Sequence, residues 1–257
     1  MIARPQWSYV QARLHARHGE RLQEADWRAL EAARSIDQFI ERARVSSLRR
    51  FTEQLNPRLS VHVIERMLRA VWRAYVGEVA SWVPAEWCAA VLWTSHLPEL
   101  PVIDALRGGV VPDWARLDVN LAEFIEAGPQ RQRATLTHSP PGPLAVSDAG
   151  PASLAARWLE HWRSLWPRRM ADESELRDLA AAIAAQAERL GRAGPLETSA
   201  PYRRDLVRGL SRLFRRRGAA PVAVFCHLAL VAIDLERLRG GLVRRRLFEP
   251  SHAKEPA

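Results

Sequence analysis

Residues 221–248, PVAVFCHLALVAIDLERLRGGLVRRRLF, decide the fold. Their first half is apolar on every side: Val222, Val224, Phe225, Leu228, Leu230, Val231 and Ile233 leave no polar stripe. A helix without a polar face must be enclosed by other helices. Spanning a bilayer takes about 20 apolar residues, and Asp234, Glu236 and Arg237 interrupt the run too early for that. The pattern then turns to charge and closes on Arg244, Arg245 and Arg246. The expectation is one helix from Pro221 to about Leu247, with Val224, Phe225, Leu228 and Val231 in the core against the N-terminal helix. Gly240-Gly241 is expected to kink or end it.

Outward from this segment, the composition is that of an all-α protein built as multi-helix bundles. Of 257 residues, only 13 are Gly, and Ala, Leu, Arg and Glu dominate. Those four favour helix interiors. Apolar content of 47% and charged content of 26% are ordinary for a globular chain. The net charge is +9, and Lys254 is the only lysine. An arginine surplus of this kind suits a solvated helix surface, or an acidic partner or anionic membrane. Cys88 and Cys226 sit in apolar helical contexts and read as buried thiols. The N-terminal segment has no apolar stretch of signal-peptide length.

Periodicity places the helices. Gln6–His18 and Glu24–Ala33 come first, and Ser35 with Gln38 has the spacing of a capping box. Asn56-Pro57 breaks the chain before Ser60–Trp82, where Val61, Ile64, Leu68, Val71, Trp72, Tyr75 and Val79 recur every three or four residues. Ala85–His96 follows, with the Leu92-Trp93 pair expected inside. A short helix at Val102–Arg107 and another at Leu117–Ala127 complete an N-terminal helical region, residues 1–127. Residues 128–150 are rich in Pro and Gly and read as a loop or linker. The C-terminal region, 151–248, holds Ser153–Trp166, Asp172–Arg192 (opened by a capping box of Asp172 and Glu175), Tyr202–Arg217 and the final helix, packing with the N-terminal helices. Residues 249–257 read as a frayed tail.

Chemistry is sparse. The glycine pairs at 108–109 and 240–241 lack the Gly-Lys-Ser/Thr ending that cradles phosphate. There is no His-Glu-x-x-His pattern, and no nucleophile has a base at a telling distance. No catalytic, cofactor-binding or metal-binding residue is assigned, and no cofactor is expected. His227 reads as a satisfied core histidine. Asp234 reads as a carboxylate paired with Arg237, Arg239 or an arginine of a neighbouring helix, because an unpaired one is costly to bury. The run Arg215-Arg216-Arg217 suits a helix C-terminus. The corresponding tip of the last helix, Arg239, Arg244, Arg245 and Arg246, is the candidate partner-binding site, for an acidic protein or lipid headgroups.

Pro221, Ala223, Phe225, Leu228, Asp234, Leu238 and Arg239 stand in the order of a proline, an apolar helix, an acidic residue and a Leu-Arg pair. In this the chain resembles the C/d family of V-type and A-type ATPases, the central-stalk socket proteins, whose members often close this way. Tyr9, Ala12, Arg13 and Leu14 are similar to that family's opening Tyr-x-x-Ala-Arg helix, followed here by Trp27 and Leu30, then Ile36, Phe39 and Ile40. The resemblance covers roughly residues 1–80 and 213–257, while the middle does not match and the chain is shorter than a full member. It implies a non-catalytic central-stalk subunit of a bacterial rotary ATPase, a socket or funnel of helices joining the soluble shaft to the membrane rotor ring. ATP hydrolysis and ion or proton transport would then belong to other subunits. The implied place is cytoplasmic, peripheral to the inner face of the membrane. Leu68–Arg73 and Leu159–Arg163 share a Trp-Arg pattern, in keeping with that family's repeated bundle. Two other readings stand beside it: a helical adaptor for an acidic protein partner, and a nucleic-acid-binding regulator supported by charge alone.

Overall fold

Ser60 shows how this chain starts its helices: its Oγ accepts from the Val63 amide at 3.4 Å, closing the N-terminus of Val61–Ala80. Ser35 does the same for Gln38 at 3.3 Å. The computed structural model describes residues 4–107, 110–111, 115–116, 118, 121–122, 125, 144, 154–168, 173–192, 200–216 and 221–248. Among the described residues the fold is all-α, with no strand. The helices are α1 (Arg4–Gly19), α2 (Glu24–Glu31), α3 (Ile36–Arg44), α4 (Arg49–Thr52), α5 (Val61–Ala80) and α6 (Ala85–Trp93). A 3-10 helix, Thr94–Glu99, leads into α7 (Leu100–Arg107). After these come α8 (Leu154–Ser164), α9 (Glu173–Arg192), α10 (Ala200–Arg216) and α11 (Pro221–Phe248).

The expected linker at 128–150 lies outside the described residues except for Leu144, which is buried. The tail at 249–257 and Asp172 of the second capping box lie outside them too. Of the helix expected at 117–127, Leu121, Ala122 and Ile125 are described, and all three are helical.

Helix α11 is the axis of the molecule, packed against α1, α3, α5, α6, α9 and α10. Its apolar half is enclosed as expected: Val222, Ala223, Cys226, Leu228 and Leu230 have essentially no exposed surface. Phe225 meets Trp162 of α8 edge-on at 4.8 Å and Trp87 of α6 at 6.1 Å between ring centroids. Trp158 stacks between Trp93 and Trp162, and the Trp93 indole N–H donates to the Trp158 carbonyl at 3.1 Å. This aromatic seam ties the C-terminal helices to α6. Large rings in contact contribute beyond the area they bury.

Three details differ from expectation: the helix end, one of two outcomes expected at Gly240-Gly241, the burial of Leu92 and that of Cys88. The helix does not end at Gly240-Gly241. It runs on to Phe248, and a side chain at Gly241 would place its Cβ 2.4 Å from the Phe39 ring. The glycine is there for close approach of α11 to α3. Leu92 is 47% exposed, because α6 turns only the Trp93 side of that pair inward. Cys226 is fully buried, whereas Cys88 is only partly so.

Buried charge on α5 is matched. Arg69 reaches Asp118 at 3.2 Å, and Arg73 reaches Glu99 at 2.8 Å. Burial pushes the Glu99 carboxyl up, but the hydrogen bond from His96 and the Arg73 guanidinium prevail and hold it below its usual range.

Candidate functional site

Asp234 stands where the apolar run of α11 gives way to charge. Arg21, in the turn after α1, grips its carboxylate with Nε to Oδ2 at 2.7 Å and Nη2 to Oδ1 at 2.9 Å. The partner is therefore an arginine from a neighbouring segment. Burial pushes the Asp234 carboxyl up, and the charge and hydrogen bonds of Arg21 oppose that push. Arg237, one turn on, forks onto Glu24 at 2.9 and 3.1 Å and Glu31 at 2.6 and 2.9 Å. Its guanidinium lies 4.7 Å from the centre of the Trp27 ring. Paired, stacked and fixed, such an arginine clamps α2 to α11.

The four arginines of the tip divide sharply. Arg245 is buried, at 6% exposure, and donates to the carbonyls of Ala33 at 2.7 Å and Glu31 at 2.7 Å. These carbonyls end α2, where helix geometry leaves acceptors without partners and the dipole favours a cation. Arg245 also donates to Gly241 O at 2.9 Å and lies 4.1 Å from the Phe39 ring centre. Arg246 donates to Leu59 O at 3.0 Å. Arg239 is shared between Glu65 at 2.8 Å and Glu236 at 3.0 Å, beside a pocket of about 220 Å³ lined by Leu68, Pro98, Val102 and Leu235. Only Arg244 is exposed outright. The structure does not bring the four arginines to one surface: Arg245 faces inward, onto the carbonyls at the end of α2.

Deeper in, His227 and Tyr75 lie 2.6 Å apart, Nε2 to hydroxyl. Burial pulls the imidazole down to about 3 and pushes the phenol up to about 12, so both groups are neutral at pH 7 and the histidine tautomer sets which of them donates. The contact pairs Nε2 inside the core, while Nδ1 is buried with no hydrogen-bond partner among the described residues, so His227 is the expected core histidine but only half satisfied. His18 stacks on Phe214 at 4.2 Å and is pulled to about 4 by burial and then by Arg21.

A larger concavity, about 640 Å³, opens between the α1–α2 turn, α10 and the middle of α11. Its floor includes Leu22, Trp27, Val207 and Ile233. Six arginines and three carboxylates line it, namely Arg21, Arg203, Arg204, Arg208, Arg215 and Arg237 against Glu24, Glu31 and Asp234. Arg21 and Arg237 already hold all three carboxylates. The arginines of α10 are the surplus. Reading the sequence caught only the end of this stripe, at Arg215-Arg216. The signal was the spacing of Arg204, Arg208, Arg212 and Arg215, which is one helix face.

Among the described residues no group of His, Cys, Asp and Glu converges to hold a metal ion. No described helix is long and apolar enough to cross a membrane. The chain matches no family model, no curated protein and no solved structure.

Proposed function

We propose that the chain is a non-catalytic central-stalk subunit of a bacterial V/A-type ATPase, a socket between soluble shaft and membrane ring. What supports this reading is that the two ends resembling the ATPase C/d family meet in space. The opening helix α1 and the Phe39 helix α3 pack on the closing helix α11. The acidic position of the closing motif, Asp234, is bound by Arg21 just beyond the opening one. Ends that carry one family's pattern and form one core behave as a unit.

The mechanism in this reading is mechanical. A funnel of helices seats the shaft and rests on the ring, so torque passes between ATP hydrolysis and ion movement on other subunits. Close-packed interiors are stiff and transmit strain, and α11 is clamped along its length by Arg21, Arg237 and Arg245. The test is a tagged full chain expressed with the whole set of ATPase subunits. Recovery of shaft and ring subunits at low salt, with no ATP hydrolysis by the isolated chain, is expected. Recovery of none of them ends the reading, and recovery of nuclease-sensitive nucleic acid replaces it with the regulator.

A further inference from the structure

We propose that the concavity between the α1–α2 turn, α10 and α11 seats an acidic amphipathic helix of a protein partner. This stands whether or not the partner belongs to an ATPase. Helix α10 carries six arginines against one aspartate, Asp205. Among the described residues Asp205 pairs only with Arg208, at 3.6 Å with both side chains largely exposed, and such a pair contributes little. Among the described residues no carboxylate lies within ion-pair distance of Arg203, Arg204 or Arg215. Arg204, Arg208 and Arg215 form a stripe about 16 Å long, at 1.5 Å per residue. Carboxylates repeating every third or fourth residue on a facing helix would match it.

Shape separates the occupants. The floor is recessed and partly apolar, with Leu22, Val207 and Ile233 half-buried and Trp27 closed over by Arg237. A flat layer of headgroups meets the arginine rim and leaves such a floor empty. A helix with apolar side chains between its acids fills both. Single-stranded nucleic acid binds through exposed aromatic stacking, and Trp27 is 2% exposed. An arginine rim around an apolar centre is also the composition of energetic protein interfaces.

The experiment titrates the full chain, at low salt, into a fluorescent peptide of the same length as α10 (17 residues). Glu lines one face of the peptide and Leu its edges. A scrambled peptide of equal composition is the control, and phosphatidylglycerol vesicles are the rival ligand. The helical peptide should bind, on the order of tenfold more tightly than the scrambled one. Arg204→Glu with Arg208→Glu should weaken it at least as much, and Arg204→Gln with Arg208→Gln should act in the same direction. Arg244→Glu should leave binding unchanged, and all variants should keep the helical circular dichroism and melting point of the parent. Absence of binding, equal binding of the scrambled peptide, or indifference to both double substitutions overturns the proposal. So does arginine-dependent capture of the vesicles alone.

Discussion

The chain has two arginine-rich helix ends that look alike in sequence and behave as opposites. Arg244, Arg245 and Arg246 close α11, and Arg212, Arg215 and Arg216 close α10. In α11 the middle arginine is spent on the carbonyls of α2 and the last on a loop carbonyl. In α10 the same residue type stays on the surface, with Arg212, Arg215 and Arg216 all exposed. The local helix-end argument, cation beside dipole, covers both runs and separates neither. What separates them is the neighbour. A second helix end abuts α11 and supplies bare acceptors, whereas a concavity abuts α10. Arginine content thus marks where charge is available only after helix ends and carboxylates have taken their share.

Four experiments press on that contrast. The largest effect should come from Arg21→Ala, which strands Asp234: about 3–5 kcal/mol of stability lost on breaking a buried pair, read from urea unfolding midpoints. A loss below ~1 kcal/mol would mean the pair is hydrated, and the clamp would have to be redrawn. Arg245→Ala should cost about 2 kcal/mol, for unsatisfied acceptors and lost packing on Phe39, while Arg244→Ala should cost under ~0.5 kcal/mol. Equal costs would erase the distinction within the tip.

Acid should come next. His227 and His18 are held neutral when folded, at about 3 and about 4, against an ordinary value of 6.5. The unfolded chain therefore binds protons first. Stability is full above about pH 6.5 and falls on acidification towards those lower values, by about 1.4 kcal/mol per pH unit for the proton of buried His227 and by less for half-buried His18, whose charge water screens. His227→Gln should flatten that slope. Burial is the first cause at both histidines; Arg17, Arg21, Arg50 and His18 add to it at His227, and Arg21, Arg215 and His15 at His18. These prevail over the Glu20 and Asp234 carboxylates that line the same pocket as His227. The smallest effect belongs to Arg215→Glu and Arg216→Glu, within ~0.5 kcal/mol of the parent at neutral pH. A large loss there would show the α10 run to be as structural as Arg245.

Much of the helical layout was legible because it rests on spacing and caps. Ser60 and Ser35 announced α5 and α3, and the all-apolar start of α11 announced its enclosure. Phe225 and Val224 lie where that argument put them. Partners were harder to read, because they come from distant parts of the chain. Arg21 and Asp234 are 213 residues apart, as are Arg237 and Glu24. Nothing in their local patterns names the other member. The Arg-rich end of α10 was visible, but the same dipole argument that explained it concealed its surplus. Gly240-Gly241 read as a break because two glycines weaken a helix, and the ring of Phe39 that requires one of them sits on another element.

That ring has a consequence for how the molecule is assembled. At Gly240 an added Cβ meets nothing within 4 Å, whereas at Gly241 it runs into Phe39. The slot is one residue wide, so Phe39 acts as a detent that fixes where along α3 the final helix comes to rest. A slip by one residue turns a helix by about 100°. It would carry Asp234 away from Arg21 and Arg245 away from the end of α2 in the same movement. One missing side chain thereby keeps two distant fastenings in alignment.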